Sequence, residues 1–253
     1  MSETEDSTTA AEPLGSISGE AFGPGGEILP APSGQFCGPV VGGSVGMCWS
    51  ITETDQGNFD FDFPSDGTES GMYNFKWVHP EHDGTLFGLT RQMVSYELGE
   101  HLVVSDPFYV PRIASFVDIG TEGVHEVDMS SGLVVTVDAS EAGTDWGFTT
   151  DYRAGGVRVP ESDWPITEHE GQSVLALWAM VPFTGHAAEG SSYPFALNDS
   201  LGLGPGNTVN FYELEKDTGA LLAAGTGTVA ADGDSIEVDG GLHALTWLVV
   251  TAG

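Results

Sequence analysis

Basic residues are nearly absent from this chain. Six lysines and arginines face 38 aspartates and glutamates in 253 residues, a formal charge of −32. Lys76, Arg91, Arg112, Arg153, Arg158 and Lys216 are the full cationic set. Such a surface offers no patch to neutralise a phosphate backbone, which argues against a nucleic-acid partner. It also repels anionic lipid surfaces. No apolar run reaches the roughly 18 residues of a membrane-spanning helix, so membrane insertion is not expected. Lysine is scarce and long Ala/Leu stretches are few, which leaves little to build helices from. The charge suits a protein working in salt or beside divalent cations.

Cysteine is also scarce: Cys37 and Cys48 are the pair. They flank Gly38, Pro39, Gly42, Gly43 and Gly46, a turn-rich segment. Two readings stand. A disulfide would close this loop and stabilise by about 2–3 kcal/mol; alternatively both thiols are free and buried. An even count around a hairpin favours the disulfide and an oxidising compartment. Two cysteines alone exclude an all-cysteine zinc site.

Residues 1–14 lack the basic and apolar regions of a signal peptide and read as a flexible acidic tail. The tail is either the start of a virion component or a spacer behind a removed leader, as in tethered lipoprotein domains. An extracellular or outer-surface location is expected.

What the chain does have is alternation. In Asn58-Phe59-Asp60-Phe61-Asp62-Phe63 the aromatics share one face and the polar residues the other, the signature of a half-buried strand. Further strands are predicted at Gly15–Phe22, Met72–Val78, His101–Val104, His125–Met129, Leu133–Val137, Gly156–Val159, Ser173–Met180, Asn207–Leu214, Gly225–Ala230, Ser235–Val238 and His243–Val250. Only Arg91–Leu98 offers a weak helical alternative. Gly, Asp, Asn and Pro punctuate the rest at sandwich-like spacing. The expected fold is all-β, with two tandem β-sandwich-like domains behind the disordered acidic tail. Pro107 and Pro111 suggest the boundary, giving domains at 15–107 and 108–253.

Residues 15–78 carry Gly19-Glu20-Ala21-Phe22-Gly23-Pro24, then Thr54-Asp55-Gln56-Gly57-Asn58-Phe59-Asp60-Phe61, then Tyr73-Asn74-Phe75. This series resembles a carboxypeptidase-regulatory-like, transthyretin-type β-sandwich. The Gly-rich segment with Cys37 and Cys48 departs from that pattern, where a short strand is usual. Residues 108–253 carry Gly155–Pro165, Val174–Phe183, Gly202–Gly206, Gly225–Gly233 and Leu245–Leu248. They resemble a C-terminal module of surface proteins and lipoproteins of myxobacteria and related marine bacteria. That resemblance implies an extracellular β-rich module without known catalysis and transfers no functional residue.

Two carboxylate clusters, a histidine-rich turn and the tryptophans are the candidates for chemistry. Asp55, Asn58, Asp60, Asp62 and Asp66 crowd one turn and one strand face, and calcium wants six to eight hard oxygens of this kind. The alternative is a solvated acidic face. Asp232, Asp234, Glu237 and Asp239 form a weaker cluster. His79, Glu81, His82 and Asp83 have the spacing of a turn-borne metal pair, with His101 as a third ligand, or are a polar loop. Trp178 and Trp247 sit in apolar strands and read as core. Trp146 and Trp164 sit among acids and prolines, where an indole stacks on a sugar or covers a sandwich end.

No G-x-S-x-G elbow, H-E-x-x-H pair, P-loop or dinucleotide fingerprint is expected, and no enzyme is expected. The expected role is structural, assembly or adhesive, at a surface, with calcium as the candidate cofactor. Expected partners are protein, through self-assembly or another surface protein, or a glycan. The alternatives are a capsid, spike or tail protein of a virus infecting a halophile, and a carbohydrate-binding module.

Overall fold

The computed structural model describes residues 15–29, 32–52, 56–63, 69–78, 84–113, 115–144 and 153–253. It is all-β, as composition and alternation predict. The first half supplies β1 (Ser16–Phe22), β2 (Ser33–Val41), β3 (Ser44–Thr52), β4 (Asn58–Asp62), β5 (Gly71–Val78), β6 (Leu86–Phe87), β7 (Thr90–Tyr96), β8 (His101–Val103), β9 (Phe108–Tyr109) and β10 (Arg112–Ile113).

Strand β1 pairs antiparallel with β4 and parallel with β8 and then β9. A second sheet runs β3-β2-β5-β7. The two sheets enclose an aromatic core. Phe59 of β4 lies 5.0 Å from Trp77 and 5.2 Å from Phe75 of β5. Phe63, just past β4, lies 5.0 Å from Phe36 of β2. Aromatics bury more area per side chain than aliphatics, which lets a small sandwich form a dense core.

The Gly-rich segment that sequence patterning left without strands is the β2–β3 hairpin. Its two-residue loop, Gly42-Gly43, has φ of 59° and 80°, the left-handed pair that a tight hairpin of this twist requires. Cys37 and Cys48 face each other across it and are bonded, with Cα atoms 4.1 Å apart. Residues 90–96, where a helix was the weak alternative, form strand β7 on the edge of the second sheet.

The second half supplies β11 (Phe116–Asp118), β12 (Val124–Asp128), β13 (Leu133–Asp138), β14 (Gly143–Thr144), β15 (Arg153–Arg158), β16 (Glu168–His169), β17 (Gln172–Val181), β18 (Gly185–His186), β19 (Phe195–Leu197), β20 (Thr208–Leu214), β21 (Leu221–Val229), β22 (Ile236–Gly240) and β23 (Trp247–Ala252). Most of them join one sheet, β11-β15-β17-β23-β20-β21-β22-β19-β13-β12. It curls until β12 lies against β11 and β15, so it is a near-closed, barrel-like sheet. Val127, Val135, Trp178, Phe211, Leu248 and Val250 fill it. The last strand was predicted from His243 but begins at Trp247, because the backbone N–H groups of His243 and Ala244 donate to the Glu213 carboxylate instead.

The crossing between the halves falls beyond Pro107. Phe108 and Val110 pack into the first core, while Phe116 pairs with Gly155 in the second sheet. Strands β17, β20 and β23 are apolar on both faces, and their outer residues Leu177, Tyr212, Trp247 and Val249 pack with Leu89 of the first half.

Candidate functional site

Side chains alternate along β5 and β7, so Tyr73, Phe75, Trp77 and Tyr96 enter the sandwich core while Asn74, Lys76, Arg91 and Met93 face outward. Outward here means toward the second half. The β20–β21 turn docks on Asn74 and Lys76: Asn74 Nδ2 donates to Lys216 O and Asp217 O at 3.0 and 2.9 Å, and Lys76 Nζ lies 3.3 Å from Asp217 Oδ1. Burial pushes the Lys76 amine below its usual pKa despite the Asp217 partner.

Arg91 lies directly across from Lys76 in the register and is only 5% exposed. Its guanidinium carbon sits 5.5 Å from the centre of the Trp247 ring. Among the described residues no acceptor meets the guanidinium, and its Nε is fully buried without a partner. Burial alone lowers its pKa to about 10. In a chain this acidic, a buried cation without a carboxylate is the outstanding electrostatic anomaly.

Arg91 borders a crevice of about 660 Å³ between the halves. One wall is the open edge of β7, with Gln92 and Met93; another is the Asp106–Tyr109 segment; the third is Ser162–Ile166, carrying Asp163 and Trp164. Gln92 Nε2 donates to Asp106 O at 3.0 Å, Ser162 Oγ to Asp163 Oδ1 at 2.8 Å, and Trp164 Nε1 to Val159 O at 2.8 Å. These bonds fix the amide, the carboxylate and the indole in place. The lining thus offers one cation, two carboxylates, a phenol and an indole in a cleft of ligand size.

Of the residues singled out from sequence, Trp164 lines this crevice, while Trp146 lies outside the described residues. Asn58, Asp60 and Asp62 sit on the outer, exposed face of β4. Asp55 and Asp66 lie outside the described residues, as do His79, Glu81, His82 and Asp83. Both ring nitrogens of His101 are engaged by serine hydroxyls, Nδ1 by Ser16 at 2.5 Å and Nε2 by Ser18 at 3.2 Å. Among the described residues no group of three or more His, Cys, Asp or Glu side chains is placed to hold a metal ion. Asp232 is turned to its own loop, accepting from Asp234 N at 3.0 Å. Gly42-Gly43-Ser44-Val45-Gly46 spells G-x-S-x-G. It forms a hairpin turn between two strands, with no helix behind it, so it is not a nucleophile elbow.

Sequence reasoning missed Arg91, Asp106, Tyr109 and Asp163 as one site. They come from three separate segments, and only the docking of the halves assembles them. No family model matches this chain, and no curated protein is significantly similar to it.

Proposed function

We propose that this chain is a non-enzymatic surface recognition protein, adhesive in role, that holds a carbohydrate in the crevice between its halves. The observation that carries this reading is Trp164, an indole tied in place beside fixed polar groups in a cleft. An indole stacks on the C–H face of a sugar ring, while carboxylates and amides take its hydroxyls. The disulfide and the acidic exterior support an extracellular setting.

Glycan-array screening of the intact chain tests it. Trp164→Ala should abolish the signals, while Asn74→Ala, which loosens the other end of the interface, should keep them. Array signals that survive Trp164→Ala would reject the reading.

A second reading, assembly, is favoured by one feature. No charged residue occurs between Glu27 and Glu53, and at the hairpin tip Val41 is 70% and Met47 51% exposed. That is the stretch of surface where acidic copies meet without repulsion. Light scattering in high salt, in calcium and in EDTA tests it: a monomer throughout removes it.

A further inference from the structure

The crevice holds two kinds of group that ask for opposite things. Asp106 and Asp163 can accept hydrogen bonds and repel anions, while the buried Arg91 guanidinium meets no acceptor among the described residues, its Nε included. Removing a guanidinium from water without a partner is costly, and the face of Trp247 offsets only part of that cost. A neutral sugar would leave the cation unmatched. A bare sulfate or phosphate would meet two carboxylates. A ligand with many hydroxyls and one carboxylate satisfies both.

Resting on the glycan reading above, we propose that the ligand is an acidic saccharide of the uronic-acid type. Its carboxylate pairs with the Arg91 guanidinium, its hydroxyls donate to Asp106 and Asp163, and its ring lies against Trp164. Arginine suits this task because its planar fork matches a carboxylate with two parallel bonds. A free amino acid would satisfy the same charges, but it is far smaller than the crevice and leaves the Trp164 wall uncovered.

Calorimetric titration of the intact chain tests this with four probes: oligogalacturonate, the same oligomer with its carboxyls reduced, inorganic sulfate, and glycine. The expected result is oligogalacturonate binding about tenfold or more tighter than its reduced form, the ratio typical of a charge-assisted hydrogen-bonded pair. Arg91→Met should erase that ratio by weakening oligogalacturonate more than its reduced form. The wild-type comparison of the two oligomers stands even if the variant does not fold. Equal affinity for both oligomers would overturn the proposal and leave the glycan reading intact. Binding of neither oligomer would overturn both. Sulfate or glycine binding as tightly as oligogalacturonate would replace the sugar acid with a plain anion or an amino acid.

Discussion

The Trp247 ring lies under the Arg91 guanidinium at 5.5 Å, and its own N–H donates to Leu89 O at 2.7 Å. One side chain of the second half therefore holds both the main chain and a charge of the first. Trp247 is buried, so this contact is formed without water. The joint between the halves is thus part of the protein's core and also the wall of its crevice.

Arg91→Met should raise the melting temperature. Replacing a buried, unpaired ion by an apolar chain of similar length is neutral or stabilising, here by about 1 kcal/mol, or ~3 °C for a chain of this size. Ligand-free stability and ligand binding then move in opposite directions, as expected where a site is kept for function. The gain depends on pH. The folded guanidinium, its pKa lowered by burial to about 10, binds its proton more weakly than the unfolded one. The unfolded state therefore holds more protons above that value, and wild-type stability recovers as pH rises above about 10. Differential scanning calorimetry of both proteins at neutral and alkaline pH should show the gap narrowing.

The clasp at the other end of the interface should be costly to open. Asn74→Ala removes two hydrogen bonds and leaves Asp217 O unmatched, while Lys216 O keeps Lys76 Nζ at 3.3 Å, at about 1–2 kcal/mol. Gly219 has φ 73°, and a Cβ there would lie 2.8 Å from Met93 Sδ, so Gly219→Ala should cost about 1–2 kcal/mol. Burial pushes the Asp217 carboxyl up, but Lys216 and Lys76 outweigh it and hold it below its usual 3.8. A depressed carboxylate contributes stability above its unfolded pKa and loses it as pH falls through the folded value. Urea midpoints should therefore fall more steeply in acid for wild type than for Asp217→Asn.

Alternation made most strands legible, because Phe59, Phe61 and Phe63 can share a face only in extended chain. The β2–β3 hairpin was hidden because Gly38, Pro39 and Gly46 break the pattern that its partner strands β5 and β3 restore by pairing. Strand β7 was ambiguous because it is an edge strand: its outward residues, buried Arg91 and half-buried Met93, are covered by the other half and not by its own sheet. For the same reason Trp164 was legible as an unusual tryptophan, whereas Arg91 was one arginine among four. Its meaning comes from having no acid beside it among the described residues, which only tertiary structure reveals.

Reducing the Cys37–Cys48 bond should cost about 3 kcal/mol by the chain-entropy account, given a separation of 11 residues. Among the described residues no strand of the second half pairs with this hairpin. Melting with and without reductant should therefore lower the transition of the first half, while circular dichroism at low temperature keeps its β character.

Affinity for an acidic saccharide should rise with salt, the reverse of what basic binding proteins show. The net charge of −32 repels an approaching anion at long range, and that repulsion is screened over about 8 Å at physiological ionic strength. The Arg91 contact is short and buried, so salt weakens it much less. Screening then speeds association while leaving dissociation nearly unchanged. Stopped-flow association of oligogalacturonate between about 0.02 and 0.5 M salt should show a rising rate, and the carboxyl-reduced oligomer a flat one. A rate that falls with salt would require a positive field at the crevice mouth. Six cations among 38 acids leave little to build one from, so that outcome would mean the sugar binds elsewhere on the chain.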